Sequence, residues 1–106
     1  MMYNPDNWVV VYFKTENPHY RVVAGWGGGY TTGNSWKMSS GIVGVTINED
    51  KFTFTGYSGS TYLCHKDSYC FRLNNAHVWD MLVKKHGDNV EIVDEFVDWK
   101  NMDWII

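Results

Sequence analysis

Residues 51–73 read KFTFTGYSGSTYLCHKDSYCFRL, and two turn signals divide this segment into three short extended runs. The dipeptide Ser58-Gly59 is typical of a two-residue hairpin loop, and polar residues 66–68 mark a second turn. Phenylalanine and threonine alternate before the first loop, as expected for a strand with one buried face. A similar alternation begins after Gly41, so the sequence predicts an antiparallel meander over residues 41–73.

The length of the first loop decides which side chains of the meander share a face. A two-residue loop places Phe54 opposite Leu63. One face is then apolar, and we predict that it faces the core; its residues are Phe52, Phe54, Leu63, Phe71 and Leu73. The other face would carry Tyr62 opposite Arg72 as a stacked cation–π pair, close to Tyr57.

Elements on both sides of the meander extend the predicted fold. Residues 8–13, WVVVYF, indicate a strand that is buried on both faces and central in its sheet, and residues 20–24 are its expected hairpin partner. Apolar spacing over residues 75–86 predicts a helix with Asn75 as its N-cap and Gly87 beyond its end.

The chain of 106 residues provides room for one hydrophobic core. Its C-terminal segment has spacing that fits both strand and helix, and we interpret it as a strand around 89–97 and a short strand ending at Ile106. The predicted fold is a single α+β domain, residues 1–106. It has a curved antiparallel sheet of about 5–7 strands packed with one helix near 75–86.

Residues 25–40 interleave glycines with the aromatic residues Trp26, Tyr30 and Trp36. Glycine permits positive φ and close approach of the backbone, so this segment is predicted to be a loop or a bulged edge. It lacks the Lys-Ser/Thr ending of a loop that cradles phosphate. A plain structural loop and an aromatic recognition loop are both left open for it.

Charge and the N-terminal residues restrict the expected location and partners. The net charge is −3 and the pI is near 5.7, so the chain lacks the basic footprint of a protein that binds duplex DNA, RNA or an anionic membrane. Residues 1–7 show neither a basic lead nor the apolar region of a signal peptide, and no apolar run reaches the length of a membrane span. We therefore expect a cytoplasmic protein with reduced cysteines.

Two groups of reactive residues have ordinary structural explanations. Cys64 and His65 are neighbours on one predicted strand and point to opposite faces, and the spacing to Cys70 lacks the tight knuckle of a structural zinc site. Cys70 is expected opposite Cys64, as two reduced thiols in an apolar niche. Ser58 and Ser60 lie between two strands, whereas a nucleophile elbow joins a strand to a helix. The sequence thus predicts no catalytic residue, no metal and no cofactor.

Aromatic and acidic residues are the features that indicate a partner. Six Trp and seven Tyr exceed what so small a core accommodates, so some rings should be half exposed, as in protein interfaces. Residues 88–103 carry six carboxylates and one lysine, which suits a solvated face, imitation of nucleic-acid phosphates or a basic patch on a partner. The predicted contact residues are Trp26, Tyr30, Trp36, Tyr57, Tyr62, Arg72, Glu91, Asp94, Glu95 and Asp98.

A pattern of motifs covers residues 34–70. The spacing W-x-x-x-S-G-I starts at Trp36, and G-x-S-G-S-x-Y-x-C-H-K starts at Gly56. This pattern resembles small accessory proteins encoded by tailed bacteriophages, although Cys70 stands where those proteins often have glycine. The resemblance implies a location in the host cytoplasm and a role in blocking a host enzyme or defence complex, and it assigns no site residue.

Three classes of function follow from these observations. We expect a non-enzymatic protein that binds and modulates or inhibits a host protein or protein complex, such as a nuclease-based defence complex, in the manner of anti-CRISPR or anti-restriction proteins. The alternative is a module that binds single-stranded nucleic acid or nucleotides by stacking bases, although a content of only nine basic residues argues against direct nucleic-acid binding. A small enzyme is the second alternative, and a homodimer is also left open.

Overall fold

The computed structural model describes residues 1–27 and 34–104, whose strands form two four-stranded sheets. In chain order the strands are β1 (Met2–Tyr3), β2 (Asn7–Phe13), β3 (His19–Trp26), β4 (Ser35–Met38), β5 (Ile42–Asn48), β6 (Lys51–Gly56), β7 (Thr61–His65) and β8 (Val90–Ile92). Helix α1 spans Ala76–His86, and short 3-10 turns lie at Lys66–Ser68, Gly87–Asn89 and Trp99–Asn101. The central sheet has the order β4-β3-β2-β8 and is antiparallel. The outer sheet has the order β1-β7-β6-β5 and is mixed, because β1 runs parallel to β7.

The central sheet is covered on both faces because β2 is apolar on both faces. Val9 and Val11 pack with Val78 of helix α1, whereas Trp8 and Val10 pack with side chains of the outer sheet. The predicted central strand and its hairpin with β3 are therefore confirmed, as is the α+β class with a helix near the predicted position. The prediction of one curved antiparallel sheet is wrong, since the strands divide between two sheets.

The β6–β7 loop has three residues instead of the two that the sequence suggested. The N–H of Gly56 donates to Ser60 O, and the N–H of Gly59 donates to Gly56 O, both at 2.9 Å. Gly59 has a φ of 97°, and a three-residue loop that ends in a left-handed glycine is a common hairpin form. This loop therefore moves the register of β7 by one residue relative to the prediction.

The shift by one residue exchanges the two faces of β7. Phe54 lies opposite Tyr62 and Phe52 lies opposite Cys64, and both Tyr62 and Cys64 are buried in the core. Leu63, predicted to face the core, is partly exposed on the other side of the strand. The assignment of Phe54 to the core is confirmed, and the assignment of the β7 side chains is wrong.

The predicted strand after the second turn does not form. The N–H of Cys70 donates to Trp8 O at 3.1 Å, so the chain crosses to the central sheet instead of returning along β7. Leu73, predicted to be in the core, is 88% exposed, and Phe71 packs beside helix α1. Cys70 is exposed, and the two cysteines do not oppose each other as predicted.

Helix α1 begins and ends where its sequence predicts. Gly87 has a φ of 58° and donates its N–H to Val83 O, which forms a glycine C-cap. Asn75 occupies the N-cap position, but its side chain does not cap the helix. Its carboxamide accepts the N–H of Arg72 at 2.9 Å and donates to Val23 O at 3.3 Å, so it joins the helix to the central sheet.

The segment after the helix contains less strand than predicted. Strand β8 covers only Val90–Ile92, and the chain then leaves the sheet. Trp99 and Trp104 are 4% and 8% exposed, because this irregular path carries both rings into the core between the sheets. No strand is present between residue 93 and Trp104, and Ile105 and Ile106 lie outside the described residues.

Three buried asparagines connect β2 with the segment before helix α1. The carboxamide of Asn7 donates to Asn75 Oδ1 at 3.0 Å and to Cys70 O at 3.1 Å, and it accepts from Asn74 Nδ2 at 2.7 Å. Asn7 and Asn75 are 0% exposed and Asn74 is 4% exposed. Because buried polar groups are costly without partners, these bonds determine where residues 70–75 cross β2.

We expect Asn7→Ala to lower the free energy of unfolding by about 2–3 kcal/mol, because the carboxamides of Asn74 and Asn75 lose a buried partner. Urea denaturation followed by tryptophan fluorescence measures this change. Asn4→Ala removes an exposed carboxamide nearby and should change the free energy by less than about 0.5 kcal/mol. Equal losses in the two variants would contradict the role of the asparagine cluster.

Burial raises the pKa of the Tyr62 phenol to about 12, with smaller contributions from Tyr3 and Cys64. The phenol ionises near pH 10 in the unfolded chain, so the folded state binds more protons between pH 10 and 12 and its stability falls as the pH rises through that window. Tyr62→Phe keeps the ring and removes the ionisation, and we expect it to flatten this decline. Tyr57→Phe, at a position that is 79% exposed, should not. Thermal unfolding between pH 8 and 12 tests both variants. If the stability of the wild type, of Tyr62→Phe and of Tyr57→Phe falls with pH at the same rate, the predicted effect of Tyr62 is refuted.

Candidate functional site

The predicted aromatic contact residues are dispersed and differ in exposure. Tyr57 is 79% exposed at the tip of the β6–β7 loop, and Trp36 on β4 is 38% exposed. Trp26 is partly buried, and its indole N–H donates to Asn4 O at 3.0 Å. Tyr30 lies outside the described residues. Among the three described residues, Trp26 packs on Tyr3 and Trp36 packs on His77, and neither ring stacks on Tyr57 of the meander.

Tyr62 and Arg72 do not form the predicted contact patch. Tyr62 is 1% exposed and stacks on Tyr3 with ring centroids 5.0 Å apart, so it belongs to the core. Arg72 is exposed in the irregular segment before helix α1. The predicted cation–π pair is wrong, because the three-residue loop turns Tyr62 inward and no strand brings Arg72 opposite it.

The predicted acidic contact residues all follow helix α1 and are all exposed. Glu91 on β8 forms an ion pair with Lys14, with 3.4 Å between Oε2 and Nζ. Asp94, Glu95 and Asp98 lie in the next segment, residues 94–98, which we call the acidic turn. The structure thus brings three of the predicted contact residues together.

Buried residues hold the acidic turn at both ends. Val93 donates its N–H to β2 at 2.9 Å, and Trp99 is 4% exposed. Between them the carboxylate of Asp94 accepts the N–H of Phe96 at 2.9 Å, which stabilises the turn. Phe96 is 87% exposed. The turn therefore presents a large apolar ring to solvent between carboxylates.

A cavity of about 200 Å³, which we call the aromatic cleft, opens beside the acidic turn. Four packed rings form its walls: Trp8, Phe52, Tyr69 and Trp99. The centroid of Trp99 lies 5.8 Å from that of Trp8 and 5.9 Å from that of Tyr69. The rim carries Lys66, Asp67, Glu95 and Phe96. The cleft thus combines aromatic walls with two carboxylates and one ammonium group.

Hydrogen bonds fix two of the cleft rings. The indole N–H of Trp8 donates to His65 O at 2.7 Å. The hydroxyl of Tyr69 accepts the N–H of Val10 at 3.1 Å and donates to Val93 O. Because these partners are backbone groups of β7, of β2 and of the residue that precedes the acidic turn, the ring positions are set by the fold itself.

The carboxylates of the acidic turn act on the interior of the cleft. Burial raises the pKa of the Tyr69 phenol, the hydrogen bond to Val10 opposes this, and the charges of Glu95 and Asp94 raise the pKa further. The contribution of these charges to the pKa is smaller than that of burial, and it indicates a negative potential, which favours a cation. The cleft is therefore suited to a positively charged group.

The size and walls of the cleft limit the kind of group it can hold. Sites for small-molecule ligands usually have volumes of about 300–1,000 Å³, so a cavity of about 200 Å³ is closer to the size of one side chain. Aromatic faces attract the cations of lysine and arginine, and carboxylates on the rim add to this attraction. The cleft therefore matches one basic side chain in size and in the sign of its rim charge.

Sequence reasoning singled out Asp94, Glu95 and Asp98 of the acidic turn, but it missed Asp67 on the rim and the aromatic walls of the cleft. Trp8 and Tyr69 are far from the acidic turn in sequence, and they reach it through long-range contacts, namely the bridge between the two residues and the hydrogen bond from Tyr69 to Val93 O. A local signal was present in residues 94–99, DEFVDW, where acids alternate with apolar and aromatic residues. This alternation could have drawn attention to Phe96, which is exposed on the acidic turn, and to Trp99, which is buried beside the cleft.

The surroundings of Cys64 do not favour a reactive thiol. Burial raises the pKa of the Cys64 thiol, which disfavours the thiolate. Within residues 1–27 and 34–104, no group of three or more His, Cys, Asp or Glu side chains is arranged to hold a metal ion. In the same part of the chain, no helix is long and apolar enough to cross a membrane.

Comparisons of the chain with models of known protein families, with curated proteins and with solved structures find no match.

We expect Phe96→Ala to change the free energy of unfolding by less than about 0.5 kcal/mol, because the ring is 87% exposed. Trp99→Ala removes a buried ring three residues later and should cost about 3–5 kcal/mol. Urea denaturation of both variants tests this contrast. A loss at Phe96 close to that at Trp99 would show that the Phe96 ring is packed in solution.

Proposed function

We propose that the protein is a non-enzymatic binding protein that recognises a basic surface of another protein through the aromatic cleft and the acidic turn. The observation that supports this proposal is the composition of the cleft, in which four rings lie beneath a rim that carries Asp67 and Glu95. A lysine or arginine side chain of the partner would enter the cleft with its cation against the rings. Phe96 would contact apolar surface beside it, as aromatic anchors do in protein interfaces.

Rings and carboxylates contribute to binding in different ways. A cation against an aromatic face contributes about 0.5–2 kcal/mol, with the larger values in desolvated sites. Exposed carboxylates mainly raise the association rate and orient the partner, and this effect weakens as salt is added. Lys66 on the rim partly offsets Asp67 and Glu95. Affinity should therefore depend on the rings, and salt sensitivity on the carboxylates.

We propose further that the partner is a host protein or protein complex, as the likeness to phage accessory proteins implies. A nuclease-based defence complex would suit the site, because grooves that bind nucleic acid carry lysine and arginine side chains for phosphates. The acidic turn would take the place of phosphate groups there. Binding would modulate or inhibit the complex, in the manner of anti-CRISPR or anti-restriction proteins.

A basic groove supports the alternative function, binding of single-stranded nucleic acid or nucleotides. Its cavity of about 310 Å³ lies between β3 and the end of helix α1 and is lined by His19, Arg21, Lys85 and His86 but by no acidic side chain. Phe13 is the aromatic residue of this groove, and it is 4% exposed. Bases would lack a stacking platform there, so we prefer the protein partner.

Capture from a bacterial lysate with charge-matched variants tests the proposal. Asp67→Asn/Glu95→Gln removes two charges from the rim of the cleft and keeps its shape. Asp80→Asn/Asp88→Asn removes two charges from exposed positions in and after helix α1. We expect the wild type and the second variant to retain one stoichiometric partner at about 100 mM salt, and the rim variant to retain at least about tenfold less.

A second readout uses a defined cation in place of the partner. Titration with N-acetyl-arginine amide should shift the indole N–H resonances of Trp8 and Trp99 in nuclear magnetic resonance spectra, and the rim variant should reduce the shift. Equal capture by both double variants would contradict the proposed site. The proposed site would also be contradicted if an oligonucleotide binds in the basic groove between β3 and helix α1, while arginine amide leaves both indole resonances unchanged.

A further inference from the structure

Strand β5 provides the longest unpaired strand edge in the described part of the chain. It has seven residues, Ile42–Asn48, lies at the end of the outer sheet and pairs only with β6. The other terminal strands, β1, β4 and β8, have two, four and three residues. The sequence of β5, IVGVTIN, contains neither charge nor proline, which are devices that usually protect an exposed edge. An uncharged edge of this length can accept another strand.

Hairpin geometry identifies the backbone groups that this edge offers. Glu49-Asp50 is a two-residue loop between the paired residues Asn48 and Lys51. The pair that flanks such a loop is hydrogen-bonded, and bonded pairs alternate along the strands, so the N–H groups of Val45 and Ile47 point away from β6. No hydrogen bond from another part of the described chain reaches them. Ile47 is also 41% exposed.

The two ends of β5 differ in charge. Glu49 and Asp50 extend from one end, and both are exposed. At the other end, residues 41–43 line a groove of about 340 Å³ together with His19 and Arg21. Arg21 donates from Nε to His19 Nε2 at 3.0 Å and forms no ion pair within the described residues. The strand thus has two carboxylates at one end, where the neighbouring Lys51 offsets one of the two charges, and a guanidinium without an ion-pair partner among the described residues near the other end.

We propose that β5 pairs antiparallel with β5 of a second copy of this chain, which joins two outer sheets into one. The two-fold axis would lie near Thr46, because a register irregularity between Ile42 and Gly44 limits regular pairing to residues 44–48. Ile47 of each copy would then form a hydrogen-bonded pair with Val45 of the other. An antiparallel two-fold arrangement repeats every contact twice.

Charge complementarity is the reason for choosing a second copy over an unrelated strand. With the axis near Thr46, the loop at residues 49–50 of one copy meets residues 42–43 of the other. These residues line the groove of about 340 Å³ that also contains Arg21. Both ends of the interface therefore bring carboxylates to an arginine. Any extended peptide satisfies the backbone groups, but this chain also provides the matching charges. The proposal goes beyond the proposed function and does not depend on it.

The backbone of Glu49 offers a way to separate folding from pairing. Its φ of 56° is in the left-handed region, which costs a non-glycine residue about 1–2 kcal/mol. Glu49→Gly relieves this strain and removes a carboxylate from the proposed interface. We therefore expect the variant to unfold at a higher temperature and to dimerise at least about tenfold more weakly, two effects of opposite direction.

Charge exchange tests the proposed contact. Sedimentation equilibrium of the full chain from micromolar to several hundred micromolar concentration gives the dimerisation constant at low and at high salt. We expect Glu49→Lys and Arg21→Glu each to weaken the dimer at least about tenfold, and the double variant to recover most of the loss. Asp80→Lys, a charge reversal on helix α1, serves as the control and should leave the constant unchanged. Circular dichroism confirms folding of each variant.

Three results would overturn the proposal. The first is a wild-type chain that stays monomeric at several hundred micromolar. The second is a dimer that Ile47→Lys, which places a charge on the proposed interface, does not weaken. The third is a double charge exchange that is additive, because it would show that residues 21 and 49 do not meet across the interface.

Discussion

The packing of Trp8 is the constraint on which most of the structure depends. The residue lies on β2 in the central sheet, yet its indole N–H donates to His65 O at the end of β7 in the outer sheet. Its ring is 1% exposed and contacts rings from the outer sheet, from the segment after it and from the C-terminal tail. This side chain therefore links the two sheets directly, through its hydrogen bond and through its ring contacts. Its backbone oxygen also receives the N–H of Cys70 and so directs the chain toward helix α1.

This packing explains why the dense aromatic content of the chain does not appear as an aromatic surface. Trp8, Trp99 and Trp104 fill the space between the sheets, where each large ring buries on the order of 150–250 Å². The aromatic cleft is an opening in that core and not an addition to the surface. Its walls are therefore rigid, and a bound cation would not have to order them, which lowers the entropic cost of recognition. Phe96, like Tyr57 and Trp36, is an exposed ring that this packing does not account for.

The elements that could be predicted from the sequence are those with strong local periodicity. The WVVVYF run and the helix before Gly87 were predicted correctly, because double-sided burial and a glycine C-cap are signalled within a few residues. The register of β7 was not, because Ser58-Gly59 fits both a two-residue and a three-residue loop and only the core distinguishes them. That one-residue difference placed Tyr62 on the wrong face and removed it from the predicted contact surface.

The division into two sheets and the position of the cleft depend on contacts that no local pattern encodes. Asn7 and Asn75 are separated by 68 residues, and each has an unremarkable polar neighbourhood in the sequence. Only when both are buried does their hydrogen bond become worth more than solvation of the two carboxamides. The negative charge of residues 94–98 could be predicted because it is visible in composition, but their turn conformation was not, since this segment was predicted as part of a strand. The aromatic walls of the cleft could not be predicted, because Trp8, Phe52 and Tyr69 come from three different parts of the fold.

Two backbone connections join the two contact surfaces that we propose: strand β6, which carries Phe52 of the cleft opposite Ile47 of β5, and one hydrogen bond from the rim. Lys66 on the rim of the aromatic cleft donates its N–H to Asp50 O at 2.9 Å, and Asp50 belongs to the loop that would enter the groove of a second copy. A partner that positions this loop also positions the residues that follow β7, including Asp67. Coupling between binding sites is reciprocal. If pairing of β5 favours binding of a cation at the rim, then the bound cation favours pairing of β5 by the same free energy. A dimer would moreover present two clefts related by a two-fold axis, so a host complex with repeated basic surfaces would be bound with an avidity that one cleft alone does not provide.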